Sequence, residues 1–503
     1  MEEFVRTRAA VAALSTVGAL VTTGAVAPPP SPPPTDDLAA VDAYLSERRA
    51  ATNTPGLAYA VVTSDSVERL GAHGHDGNGG VVTATTPFLW GSVSKPVTAT
   101  AVMTLVEDGA MALDEPVRTY LPSFTLADPD AAARITVRHL LTHTSGIPEH
   151  TSATDRVEDD GAPYAEAVAE LAHIQPMSAP GAKHQYSSAN YLLLGAAVEE
   201  VSGSSFAGYL HDAVLDPLGM TGAITTAEQA HSRLPGGHGY VFGHPVGVSP
   251  GYAPAGPSYG YLGGTVEDLA HFAMAQLADG HDSARTLDPE SAELMHTGAV
   301  RVGGTQRYGL GWRDDTRNDD LGTSTVWHGG AVPGYQATIA LLPEADRAVV
   351  VLQNAYGIFQ DAELLGTGLG AARILAGGRA EPASGDATYA ALLGTLTAAL
   401  AAAVAVTGWA LFRIRKPGPR AEHRRVLLGT AGWTLGGLAL AGVAWFAVPS
   451  LFGVSLARIR LWAPDIVWLL TALAVTGLVL AVARLVSGIA RLTTRRTATA
   501  ALG

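Results

Sequence analysis

Apolar positions change their period along the chain, and the changes mark out its elements. Leu38, Val41 and Leu45 recur at helical spacing behind Thr35 and Asp36, both cap-forming types, so Thr35 to Ala50 is expected to be helical. Gly56 to Thr63 and Ser66 to Ala72 are β-rich runs parted by a Ser/Asp turn, and His73 to Gly80 is a Gly/Asn-rich loop. These runs predict a hairpin that opens a sheet. Ser94 to Leu113 and Tyr164 to Leu218 are mainly helical in pattern, whereas Tyr308 to Trp312, Thr325 to Trp327, Tyr335 to Leu342 and Arg347 to Gln353 return to short strands. A helical block between sheet-forming ends predicts an α/β sandwich with an inserted all-α subdomain.

The C-terminal part follows a different rule. No charged residue occurs from Ala387 to Phe412, from Val426 to Ala457 or from Ile466 to Ala483, and each run is long enough to cross a bilayer as a helix. Three transmembrane helices are expected, at about 387–412, 426–450 and 464–486 of a membrane domain spanning 387–503. Arg413, Arg415, Lys416, Arg420, Arg424 and Arg425 lie between the first two runs; Arg484, Arg491, Arg495 and Arg496 follow the third. The positive-inside rule puts that loop and the tail in the cytoplasm, and the large region before Ala387 outside. At the other end, the apolar run Ala9 to Ala27 behind Arg6 and Arg8 reads as an export signal or uncleaved anchor over 1–27. A proline-rich linker over 28–37 then leads to a large domain at 38–376, with a second linker at 377–386.

Composition agrees. Of 503 residues 47% are hydrophobic and 16% charged, too apolar for one ordinary soluble domain. From Pro28 to Asp386 there are 18 Lys and Arg against 42 Asp and Glu, and from Ala387 onward 12 against 2, so the basic residues flank the apolar runs and no nucleic-acid-binding surface is expected. The absence of Cys excludes disulfides, Cys-type zinc sites, haem attachment and lipoprotein anchoring.

The candidate chemistry begins at Ser92-Val93-Ser94-Lys95, an S-x-x-K tetrapeptide opening a predicted helix, with Pro96 in the first turn. Residues three apart share a helix face, so the Lys95 amine can reach the Ser92 hydroxyl and, if neutral, take its proton. Around it, the chain carries TPFLWGSVSKPVTATAVMTLVEDGAMALDEPVRTYLPSF (Thr86 to Phe124), ITVRHLLTHTSGIP (Ile135 to Pro148), PGAKHQYSSANYLLLG (Pro180 to Gly195), DPLGMT (Asp216 to Thr221), RYGLGW (Arg307 to Trp312) and WHGGAVPGY (Trp327 to Tyr335). In order and spacing these segments resemble the serine β-lactamase and penicillin-binding-protein family, in particular the class C β-lactamase-like serine hydrolases that include D,D-peptidases, D-aminopeptidases and esterases. The resemblance covers about residues 38 to 360.

It implies an antiparallel sheet flanked by helices, with the all-α insertion. By the same resemblance Ser92 is the nucleophile, Lys95 its base partner, and Tyr186 the tyrosine of a Y-x-N element that shuttles the proton, a role expected to need the Lys95 cation nearby to favour phenolate or a shared proton. His328-Gly329-Gly330 falls where the family has K-T-G or H-x-G, and the backbone N–H groups of Ser92 and Ala331 are expected to form the oxyanion hole. Two positions depart from the pattern. Ser188 replaces the Asn of Y-x-N, with Asn190 nearby, and His328 replaces a permanently charged Lys, which weakens a site for a free carboxylate and favours esters or amino-terminal D-residues. Ser188, Gly330 and Ala331 are the expected substrate-binding positions.

Elsewhere, His73-Gly74-His75-Asp76 reads as an exposed loop rather than a metal site, His143-Thr144-Ser145-Gly146 as a structural turn, and Glu199, Glu200 and the cluster Glu158-Asp159-Asp160 as solvated charge. No metal or organic cofactor is implied; the expected partners are a small-molecule or cell-wall peptide substrate and the lipid bilayer. The reading is an exported, membrane-tethered serine hydrolase with an acyl-enzyme intermediate. Its alternative is a membrane sensor or morphogenetic protein that keeps the fold for binding.

Overall fold

The computed structural model describes residues 36–156, 163–249, 251–277, 286–382, 387–415, 423–451 and 456–500. The expected leader at 1–27, the proline run and the cluster Glu158-Asp159-Asp160 lie outside these residues. Two compact units are present, the first within residues 36–382 and the second over 387–500.

The first unit is built on an eight-stranded sheet: β1 (Gly56–Val62), β2 (Val67–Gly74), β3 (Val300–Gly303), β4 (Gln306–Tyr308), β5 (Arg313–Asp315), β6 (Thr325–Val332), β7 (Tyr335–Leu342) and β8 (Arg347–Gln353). Spatial order is β2-β1-β8-β7-β6-β5-β4-β3, antiparallel throughout. Its central strands are mostly apolar and buried because both faces are covered: successive side chains alternate sides. Val349 and Val351 pack with Val41, Leu45 and Leu369 on one face, and Val350 and Leu352 join the larger core on the other.

The first face is covered by α1 (Asp37–Ala51) and, from the C-terminal end of the unit, α5 (Asp361–Leu375). Asp36 caps α1 by accepting from the N–H groups of Leu38 and Ala39, and an Arg48–Glu363 ion pair at 2.7 Å joins the two helices. The larger core contains α2 (Ser94–Glu107), α3 (Ser188–Ser202) and α4 (Val266–Leu277). Almost every residue of α2 is buried, and its hydroxyls are satisfied internally: Thr98 donates to the Ser258 carbonyl and Thr100 to that of Pro96.

Three expectations need correction. The helical stretch 164–218 is broken, running as Pro163–Glu170, then α3, then Phe206–Leu210, because Pro180, Gly181 and the Gly203 turn interrupt it. The strand expected at 308–312 divides into β4 and β5 around a Gly309–Trp312 turn. His73 is in strand β2 rather than a loop, its Nε2 3.0 Å from Asp42 Oδ1.

The second unit contains α6 (Ala387–Arg415), α7 (His423–Gly442) and α8 (Pro464–Ala500), α7 continuing through π-helical Val443–Ala447 into Val448–Leu451. Three stretches, Ala387–Arg413, Arg424–Ser450 and Pro464–Arg491, are long and apolar enough to cross a membrane. Gly437 and Gly477 face each other where α7 and α8 cross, with no room for a Cβ on either.

Candidate active site

The segment before the tetrapeptide is held by backbone pairing. Phe88–Leu89 pairs with Gly263–Gly264, and the Trp90 N–H donates to the Leu262 carbonyl at 2.8 Å. Gly91 then adopts φ +54°, a left-handed conformation that glycine takes without steric penalty, and one tight turn through Gly91–Val93 feeds α2. Strand β6 passes against this turn. A Cβ on Gly91 would lie 2.6 Å from the Gly330 carbonyl carbon, and one on Gly330 would lie 2.7 Å from the Ser92 nitrogen. Two glycines therefore let the backbone around Ala331 approach the backbone N–H of Ser92.

Ser92 remains partly accessible while Lys95 is fully buried. Lys95 Nζ lies 2.9 Å from Ser92 Oγ, 2.6 Å from the Tyr259 carbonyl oxygen and 3.4 Å from Ser188 Oγ. Burial lowers the Lys95 pKa to about 7 from the usual value above 10; the carboxylates of Asp155 and Glu149 oppose the shift, and Arg313 adds to it. The amine is thus available in neutral form near neutral pH.

Tyr186 stands immediately before the Ser187 cap of α3, and Ser92 lies close enough to act on its phenol. Lys95 Nζ is 4.9 Å from the centre of its ring. The phenolate expectation needs correction. Burial pushes the Tyr186 pKa well up, with Ser92 and Arg313 only partly offsetting it, so the phenol stays protonated. The same desolvation that neutralises the amine keeps the phenol neutral.

His328 on β6 is buried, its Nε2 3.0 Å from the Tyr308 hydroxyl and its Nδ1 2.8 Å from the Gly329 carbonyl oxygen. Nδ1 therefore carries the proton and Nε2 accepts from Tyr308. Burial, reinforced by Arg313 and Lys95, holds the imidazole pKa well below 6.5. Asn190 does not take over from Ser188: its Nδ2 lies 3.0 Å from His143 Nδ1 and its Oδ1 accepts from Ser145 at 2.6 Å, inside the core. Glu199 is not simply solvated either, since Oε1 accepts the Phe206 N–H at 2.8 Å.

The structure thus brings together Ser92, Lys95, Tyr186, Ser188, His328, Gly330 and Ala331. His143, in a turn expected to be structural only, joins them. His143 is fully buried with φ +55°, and its ring centre is 4.2 Å from that of Tyr186. Its Nδ1 accepts from the Ser187 N–H at 3.2 Å as well as from Asn190. Nothing in the tetrapeptide His143-Thr144-Ser145-Gly146 separates a packing turn from one that braces Tyr186.

Residues 41–370 match the protein family described as Beta-lactamase. The chain is 34% identical over 342 residues to penicillin-binding protein 4 of Amycolatopsis lactamdurans, which covers 63% of this chain and 87% of that protein. Among solved structures, the octameric penicillin-binding protein homologue of Pyrococcus abyssi superposes with a TM-score of 0.59 at 26% identity, over 69% of this chain and 79% of that one. A D-stereospecific amidohydrolase of a Streptomyces species, 23% identical, shares the fold with a TM-score of 0.52 over 64% and 94% of the two chains.

Proposed function

The chain belongs to the β-lactamase family of serine hydrolases, and we propose that it is a membrane-anchored member, with its catalytic domain on the extracytoplasmic side, cleaving an amide or ester bond through a Ser92 acyl-enzyme. The observation that carries this reading is the buried Lys95 amine, 2.9 Å from Ser92 Oγ with a pKa lowered to about 7. In the first step Ser92 Oγ attacks the substrate carbonyl carbon and its proton passes to Lys95 Nζ. The oxyanion is held by the backbone N–H groups of Ser92 and Ala331, brought close by Gly91 and Gly330. Collapse expels the amine or alcohol, which takes a proton from the Tyr186 hydroxyl; Lys95 returns one to Tyr186. Water then attacks the ester with Lys95 again as base, releasing the acid and regenerating Ser92.

The substrate class follows from charge. A neutral, hydrogen-bonded His328 offers no cation for a free carboxylate, and the nearby Arg313 guanidinium is buried over the Tyr186, Tyr308 and Trp327 rings, whereas the carboxylates of Asp155 and Glu149 act on Lys95 and suit a cationic amine. D-amino-acid peptides with a free amino end, or small esters, are the preferred substrates. The sidedness rests on the basic residues that gather between the first two apolar runs and after the third.

The test uses the full-length chain in detergent. Turnover of a p-nitrophenyl ester and of a D-aminoacyl p-nitroanilide is expected to vanish in Ser92→Ala, with an acyl adduct on Ser92 seen by peptide mass. An unchanged rate in Ser92→Ala, or no turnover of either substrate by the native chain, would sink the proposal.

A further inference from the structure

The basic ends of α7 and α8 meet at one recess. Between α7 and α8 lies a cavity of about 170 Å³ whose lining includes Arg425, Arg484, Arg491, Thr430, Ser487 and Trp433. Among the described residues that line it there is no carboxylate. Arg484 is held by aromatic faces rather than by an anion: its guanidinium carbon is 4.8 Å from the Trp433 ring centre and 5.7 Å from that of Trp409 on α6. Its Nε and Nη2 are buried without a hydrogen-bond partner among the described residues. Arg413, at the end of α6, also sits over Trp409, at 5.2 Å.

This arrangement favours an anion. The described residues supply no acceptor to the buried N–H groups of Arg484, and the positive charges around the recess repel one another. An oxyanion placed there would supply the acceptors and the counter-charge, with the Thr430 and Ser487 hydroxyls as additional donors. The volume is many times the roughly 10–15 Å³ that one water needs by the same measure, and it admits a phosphate group with its ester links. We propose that this recess binds the phosphodiester of an anionic phospholipid headgroup. The source is a lipid because the arginines stand where the charge-free runs end, at Phe412, Val426 and Ala483, which is the depth of headgroup phosphates in a spanning bundle. A net-anionic headgroup is selected over a choline one, whose quaternary ammonium would face the guanidinium groups. The inference rests on the membrane-anchored part of the proposed function and is independent of the hydrolase chemistry.

The experiment takes the full-length chain into mixed phosphatidylcholine and phosphatidylglycerol nanodiscs, then measures by native mass spectrometry which lipid stays bound on release into detergent. Phosphatidylglycerol should be retained in preference, and Arg484→Gln should weaken retention about tenfold, as expected for losing a charge-assisted contact. Arg491→Gln, on an exposed side chain, provides a second reading if Arg484→Gln fails to fold. Equal retention of the two lipids, or unchanged retention in a folded variant, overturns the proposal. So does saturation of the site by inorganic phosphate with no lipid preference, which would assign the recess to a soluble anion. Extraction of the chain into buffer without detergent would instead overturn the membrane anchoring beneath it.

Discussion

The Tyr308 hydroxyl and His328 Nε2 form a buried hydrogen bond at 3.0 Å, and it fixes the imidazole as an acceptor on that side. With Nδ1 donating to the Gly329 carbonyl, neither nitrogen is free to gain a proton without breaking a contact.

A pH prediction follows. Burial disfavours the imidazolium, so His328 takes up a proton only well below 6.5, and no cation appears there as pH falls through that value. Lys95 charges over the same range in any variant that retains it, so the KM ratio of an acidic to a neutral substrate is expected to change alike in the native chain and in His328→Asn between neutral pH and about 6. A ratio that falls with pH only in the native chain would mean that the histidine charges and recruits carboxylates.

Lys95 gives the opposite sign. Only its neutral form can accept the Ser92 proton, and its pKa is lowered to about 7, so kcat/KM is expected to rise with pH through about 7 and then level off. Lys95→Met should reduce kcat about 10²–10⁴-fold, the usual range for losing a general base. A native profile with no ionisation near 7, measured by stopped-flow acylation, would remove Lys95 from that role.

Gly330→Ala tests the close approach of β6 to the nucleophile turn. The added Cβ meets the Trp90 carbonyl and lies 2.7 Å from the Ser92 nitrogen, backbone atoms that cannot rotate away. Overpacking of this kind costs about 1–3 kcal/mol. The expected outcome is a lower Tm together with a loss of kcat; full activity at unchanged Tm would mean that the strand does not contribute to the oxyanion site.

His143 is expected to act through Tyr186. His143→Ala removes both the ring against Tyr186 and the acceptor for the Ser187 N–H, so kcat should drop about 10–10²-fold with little change in KM. His143→Asn, which restores an acceptor and tolerates the left-handed backbone, should recover part of the rate. Equal kcat in both variants and the native chain would leave His143 a packing residue only.

Several features were legible in the one-dimensional chain because they depend on local geometry. The three-residue spacing of Ser92 and Lys95 puts both on one helix face wherever that helix lies, and α2 begins at Ser94 as the tetrapeptide implies. The apolar runs after Ala387 are helices of spanning length because length and the absence of charge suffice to predict them. The sheet ends and the helical insertion followed from periods of two and 3.6. Where local cues were mixed, as at 164–218 and 308–312, the boundaries came out wrong.

Protonation and mutual orientation were decided only by the tertiary structure. Whether Lys95 is an amine or an ammonium depends on the Tyr259 carbonyl and the Tyr186 and Tyr191 rings, all distant in sequence. The neutral states of Tyr186 and His328 have the same origin. Gly91 and Gly330 are informative only once β6 lies against the turn before α2, and His143 only once its ring rests on Tyr186. Desolvation is a sum over everything that packs around a group, so it exists only after the chain has folded, whereas the spacing along a helix is present from the start.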